Sequence, residues 1–259
     1  MKLKNKYGII IGGSVGIGAA ISKKLGKEGC NLVITYNKGK KEAEKLEEVF
    51  KAYNIKYFYE HLDVSNNENI KSFFKKLTTI VPRVDIAINN AGVETENRFI
   101  DITEEEWDFV MNVNIKGLFL CCQEEAKIMI KQNSGKIINT GSLAAKIGVP
   151  FIAHYSASKF AVLGLTFSMA RELAPYNIKV NAVCPGIVLT KMIQQAWSSK
   201  SKFMGLKKAE LIERDRLRIP LDRFATPEDI ANMFYFLSSD ESDYITGQAF
   251  NVNGGMENH

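Results

Sequence analysis

Tyr155 and Lys159 lie four residues apart in the run Phe151–Val162. On a helix that spacing sends both side chains from one face, one turn apart. A free phenol ionises near a pKa of about 10 and exchanges protons poorly at neutral pH. An ammonium group beside it favours the phenolate, by about 1–3 pKa units at close range. The pair therefore suits acid–base work, yet any solvated helix can carry the same spacing, so the pair alone decides nothing. His154 precedes the tyrosine and titrates near neutrality. It leaves the helix on a different face from Lys159, so it reads as structural or substrate-lining rather than as the base.

The elements that must position this pair are legible in order. Tyr7–Ile11 is a β-branched run, followed at once by Gly12, Gly13, Ser14, Val15, Gly16, Ile17 and Gly18, then by a helical pattern over Ala19–Gly29. A glycine cluster between a strand and a helix permits a tight turn and a close backbone approach to an anion, and the helix points its free amides at that anion. The pattern predicts nucleotide binding there. Strands at Asn31–Tyr36, Lys56–Leu62, Asp85–Asn89, Gly135–Thr140, Ile178–Cys184 and Gln248–Val252 alternate with helices. Those helices are expected at Lys38–Tyr53, 66–80, Glu104–Met111, Ile115–Lys131, Tyr155–Leu173 and Pro227–Ser238. Such alternation means right-handed crossovers and a parallel sheet. The expectation is an α/β fold: one doubly wound Rossmann-type domain over 1–259, with about seven strands flanked by helices. A polar, less regular stretch at about 191–222 reads as a mobile lid.

The charge balance of 34 basic to 29 acidic residues is only mildly positive, and the lysines spread along helix-like segments. That argues against a nucleic-acid surface. The four cysteines show no CxxC spacing, so neither a disulfide framework nor a metal site is expected, and a reducing, cytoplasmic setting fits. No run of about 18 apolar residues and no signal-peptide pattern is present, so no membrane association is expected.

Five motifs occur in order: Gly12-x-x-x-Gly16-x-Gly18, Asn89-Asn90-Ala91-Gly92, Ser142, Tyr155-x-x-x-Lys159 and Pro185-Gly186. Together they resemble a classical short-chain dehydrogenase/reductase over nearly the whole chain. The resemblance implies hydride transfer between a nicotinamide cofactor and an alcohol or ketone. It makes Tyr155 the acid–base residue, Ser142 the hydrogen-bond donor to the reacting oxygen, and Lys159 both the modulator of the phenol and a holder of the nicotinamide ribose. Asn114 matches the family's helix-kink asparagine, which extends a proton relay. The implied cofactor shell adds the loop residues Gly12, Ser14, Val15, Gly16, Ile17 and Gly18. It includes Asp63 and Val64 beside the adenine, with Asp63 as a plain helix cap the alternative. It further includes Asn90, Ala91 and Gly92 along the ribose, and Pro185, Gly186, Ile187 and Thr190 near the carboxamide.

Two departures stand in the loop. The family usually places Thr where Ile11 stands, so the turn is expected to be less tied down, and the basic residue often found at Val15 in NADP-preferring members is absent. Tyr36, Asn37 and Lys38 end the second strand without a carboxylate, and a carboxylate there would favour NAD. NADP(H) is therefore expected, with NAD(H) possible. The wording around Tyr155 and Pro185 is closest to acetoin/butanediol and polyol (sorbitol-type) dehydrogenases, which implies a small secondary alcohol or ketone. Sugar oxidation is a near neighbour. A 3-ketoacyl-carrier reductase or hydroxysteroid dehydrogenase is the alternative, and a catalytically silent nucleotide-binding regulator is the non-enzyme reading. The family also implies a homotetramer built on the Ile115–Lys131 and Tyr155–Leu173 helices.

Overall fold

β1 (Tyr7–Ile11) lies at the centre of the molecule, with Ile9 and Ile11 facing one side and Ile10 the other. A central parallel strand is covered on both faces, which is why its sequence is a continuous apolar run. The computed structural model describes residues 1–259. Around β1 run β2 (Asn31–Tyr36), β3 (Tyr57–His61), β4 (Ile86–Asn89), β5 (Gly135–Thr140), β6 (Ile178–Pro185) and β7 (Ala249–Val252). All are parallel, in the order β3-β2-β1-β4-β5-β6-β7. The chain order reverses between β1 and β4, and a crevice opens there beyond the strand ends, the usual ligand position of such sheets.

α1 (Gly16–Lys27) and α10 (Pro227–Ser238) cover one face, where Ile10, Ile21, Leu25, Ile34, Phe50 and Phe234 form the core. α4 (Asn67–Ile80), α6 (Leu118–Gln132) and α7 (Ala153–Leu173) cover the other, around Ile9, Phe74, Leu77, Cys121, Met129 and Val162. No helix is long and apolar enough to cross a membrane.

Three segments differ from the sequence expectation. Lys38–Tyr53 is not one helix but two short ones, α2 (Lys40–Glu44) and α3 (Glu47–Lys51). The break falls where Leu46 donates to Ala43, three residues back, which tightens the turn and still lets Ala43, Leu46 and Phe50 face the core. The helix expected from Ile115 is preceded by α5 (Glu104–Met111) and by a wide π-turn over Asn112–Gly117, so α5 and α6 are nearly continuous. The 191–222 stretch is ordered as two helices, α8 (Lys191–Met204) and α9 (Lys208–Leu217), hinged at Gly205 with φ +63°. Trp197 anchors them: it is buried against Phe224 and its indole donates to Asp215 at 2.8 Å.

Candidate functional site

The turn after β1 is built from contacts that leave no room for side chains. Gly12 holds φ +73°, and a Cβ there would stand 2.8 Å from the Ala91 Cα. A Cβ on Gly18 would overlap the Gly12 carbonyl. The loop is well tied down, contrary to what Ile11 led us to expect. The Thr35 hydroxyl accepts from the Gly12 amide and its carbonyl from the Gly13 amide, both at 3.0 Å. Ser22 donates to the Gly13 carbonyl and Asn90 to the Gly12 carbonyl. Thr35 on β2 does from the side what a threonine at position 11 does in the family's usual pattern. α1 then starts at Gly16, after Val15, with no side-chain cap and no acid in its first turn. Its first amides are unclaimed by side chains beside the narrow glycine turn, which fits a pyrophosphate.

The end of β2 sits against this loop: a Cβ on Gly39 would be 3.1 Å from the Ser14 hydroxyl and 3.6 Å from Val15. Tyr36 packs edge-on to His61, and Lys38 is exposed without an ion-pair partner. Asp63 is not a helix cap, since Asn66 caps α4 by accepting from the Asn69 amide. Asp63 instead accepts from the Ser65 amide at 3.0 Å and hydroxyl at 2.7 Å, with Asn37 also bonding it. Those bonds hold its carboxyl below the usual range. Val64 is buried, and its carbonyl leaves no space for a Cβ on Gly117.

At the end of β4, Asn90 ties to Gly12 and Ala91 lies under it. A Cβ on Gly92 would be 3.4 Å from Asn114 Oδ1 and 3.7 Å from Lys159 Nζ. This turn therefore joins the dinucleotide crevice to the acid–base pair. Asn114 is buried in the π-turn and clamps Val93 from both sides: its Oδ1 accepts from the Val93 amide at 2.8 Å and its Nδ2 donates to the Val93 carbonyl at 2.9 Å. The same amide reaches Ser158, whose hydroxyl donates to the Tyr155 carbonyl. The asparagine thus positions backbone on both sides of the site.

Lys159 is buried and donates to the Thr140 carbonyl at 2.8 Å. Burial brings its pKa down to about 8, against the opposing pull of Cys184 and Glu94. Its Nζ stands 5.7 Å from the centre of the Tyr155 ring. The phenol is not acidified here. Burial, then the negative charge of Glu94, push its pKa up, and the Ser142 hydroxyl pulls the other way. The sequence expectation that Lys159 lowers the phenol pKa fails in this state for a physical reason. The ammonium is committed to the Thr140 carbonyl, and burial of the phenol raises its pKa regardless. Ser142 faces the phenol, and its Oγ also accepts from the Ala144 amide. His154 is core: Nε2 and the Thr95 hydroxyl share a 2.6 Å hydrogen bond, and burial lowers its pKa.

The turn after β6 closes the crevice. Gly186 must lack a side chain because the Asn253 Cα would be 2.8 Å from its Cβ. After Pro185 and Gly186, the Ile187 carbonyl accepts from the Ala225 amide, while the Ile187 amide has no protein acceptor. Thr190 caps α8, and its methyl group is 3.6 Å from where a Gly16 Cβ would be. The residues named from sequence thus gather along one edge of the sheet, at the ends of β1, β2, β3, β4, β5 and β6. Thr35, Thr140, Ser158 and Glu94 escaped that reading. Thr35 left one signal, a short hydroxyl side chain directly after the aliphatic run Leu32–Ile34.

A family model described as enoyl-(acyl carrier protein) reductase matches residues 12–257. The 3-oxoacyl-(acyl-carrier-protein) reductase FabG of Staphylococcus aureus strain Mu50 is 39% identical over 251 residues, 97% of this chain and 98% of that one. The chain belongs to the short-chain dehydrogenase/reductase family. A second member of the family, the Aquifex aeolicus protein of the same name, is 35% identical over 256 residues, 99% of each chain. A solved structure, provisionally described as a gluconate dehydrogenase from Agrobacterium tumefaciens, superposes with a TM-score of 0.89 at 30% identity, covering 98% of this chain and 97% of the other. The protein is thus an oxidoreductase of this family on a Rossmann-like fold with a seven-stranded parallel sheet.

Proposed function

We propose that the protein is an NADPH-dependent ketoreductase acting on the 3-oxo group of an acyl thioester. The observation that carries this reading is its likeness, over nearly the full length of both chains, to relatives named 3-oxoacyl-(acyl-carrier-protein) reductase. The sequence wording alone favoured diols and polyols; the relatives favour what was then the alternative. The likeness to the structure described as a gluconate dehydrogenase supports a second reading, oxidation of a small polyhydroxy substrate.

In the proposed reaction a reduced nicotinamide supplies the hydride. The protein supplies the rest. Ser142 donates a hydrogen bond to the carbonyl oxygen, where negative charge develops. Tyr155 gives that oxygen its proton. Lys159 is fixed by Thr140 beneath the phenol and beside Gly92, a position from which it serves the proton's replacement and the ribose together. Asn114 holds the Val93 backbone and the α7 turn in place. The crevice residues Gly12, Ser14, Val15, Gly16, Ile17 and Gly18 take the pyrophosphate on backbone amides. Tyr36, Asn37, Lys38, Asp63 and Val64 frame the adenosine half, and Asn90, Ala91, Gly92, Pro185, Gly186, Ile187 and Thr190 frame the nicotinamide half. Lys38, exposed and without an acid beside it at the end of β2, favours a 2′-phosphate. Phe119 on α6 with Phe160 and Phe167 on α7 supports assembly as a homotetramer through these helices.

The test is a substrate panel followed by nicotinamide absorbance: a 3-oxoacyl thioester, acetoin and diacetyl, and a polyol series, each with both cofactors. The thioester with NADPH is expected to give a kcat/KM at least about tenfold above the others, a difference of about 1.4 kcal/mol in transition-state binding. Faster oxidation of polyols would establish the second reading. Tight dinucleotide binding with no turnover on any member would make the protein a regulator.

A further inference from the structure

The lid and the strand-end turn that carries the site are joined by a charge pair that none of the motifs includes. Glu94 comes two residues after Gly92 and directly after Val93, whose backbone Asn114 holds at both its amide and its carbonyl. Its carboxylate therefore stands on fixed ground. It reaches Lys200, on the third turn of α8, at 3.3 Å. The lysine and glutamate side chains are only 15% and 11% exposed, so the pair is largely withdrawn from water.

Three further observations tie the pair to the chemistry. Glu94 is among the charges that act on Tyr155, Lys159 and His154, so it lies near the acid–base residues. Glu96, half-buried on the same segment, faces Ser199, the neighbour of Lys200. One short segment thus grips α8 at two successive residues. Finally, Lys200 is the only lysine of α8 that turns inward, while Lys191 and Lys202 remain exposed and make no ion pair.

We propose that Glu94 is a positioning residue whose ion pair with Lys200 latches α8 over Tyr155 and forms the movable wall of the substrate chamber. A largely dry ion pair is costly to leave half-made, so removal of either partner releases the wall rather than merely weakening it. Lys200 lies ten residues along α8 from Thr190, about 15 Å from the end of the helix that meets the glycine turn, so the latch governs substrate capture rather than dinucleotide affinity. This inference rests only on Tyr155 being the acid–base residue and not on which ketone is used.

The test uses the full-length protein carrying Trp107→Phe, which leaves Trp197 on α8 as the single tryptophan. Into this background go Glu94→Gln, Lys200→Gln and the charge swap Glu94→Lys with Lys200→Glu. Each single variant is expected to raise the substrate KM about tenfold, leave dinucleotide Kd within about twofold, and roughly triple acrylamide quenching of Trp197. The swap is expected to restore KM and quenching to within about threefold of the parent, the coupling expected of a direct pair. Unchanged KM and quenching in the singles, or a swap no better than either single, would overturn the latch. If no carbonyl compound is turned over, the proposed function fails, and the quenching series still decides the latch.

Discussion

Tyr155 in this structure is harder to ionise than a free phenol, because its surroundings are dry and Glu94 lies close by. A neutral phenol at physiological pH is the form that can give a proton to a developing alkoxide. Tyr155→Phe is therefore expected to lower kcat by about 10³-fold, within the usual range for a positioned acid. Dinucleotide Kd should stay unchanged, because the glycine turn makes no contact with the hydroxyl. Turnover within about tenfold of the parent would remove the tyrosine from the mechanism. Ser142, Tyr155 and Lys159 were legible because their chemistry resides in their own side chains. Thr35 and Thr140 were not: one works through a hydroxyl aimed at the backbone of the glycine turn, and the other through its carbonyl. Residue type does not report such roles; only strand order brings those atoms together.

Among the elements, α6 contains a group that its neighbours do not fully satisfy. Glu125 is buried, accepts from Asn89 at 3.0 Å, and has its second oxygen without a partner, as does Asn89 Oδ1. Burial raises its pKa to about 7, from an ordinary 4.5. An acid whose pKa is raised in the fold stabilises the fold in its protonated form. That stability is fully present below about pH 4.5 and is lost as pH rises through about 7. Glu125→Gln keeps an uncharged group of the same shape, so it is expected to stabilise the protein at pH 8 by about 1–3 kcal/mol. It should also flatten the decline in stability between these two pH values, as read by urea denaturation across a pH series. A variant whose pH profile matches the parent's would show that Glu125 is not the source. The parallel, doubly wound sheet and the helices α4, α7 and α10 were legible because period and length agree over many residues. The α2/α3 break and the folding of 191–222 were not. In both, a few buried anchors such as Ala43, Phe50 and Trp197 outweigh a polar local composition.

At the scale of the whole molecule, charge and apolar surface are unevenly placed. Residues 191–223 hold as much excess positive charge as the entire chain, +5, so the body beneath them is balanced. An anionic substrate is thereby drawn toward the lid end of the crevice, an effect that added salt weakens. One exposed apolar patch lies on the helices α6 and α7. Phe160 and Phe167 stand two turns apart on α7, 49% and 41% exposed, with Phe119 on the adjacent α6. Under the proposed tetramer, joint replacement of Phe160 and Phe167 by lysine is expected to lower the solution mass from four chains toward one, measured by light scattering. An unchanged mass would place the assembly on another face. The π-turn at Asn112–Gly117 links these two regions. It inserts the residue that puts Asn114 under Val93, and it also sets the rotation at which α6 leaves the site. Shortening the chain there by one residue would spin α6 by about 100° while withdrawing the clamp. The exposed Phe119 face of α6 and the Asn114 clamp therefore share one helical phase, so a residue gained or lost at this turn would disturb both.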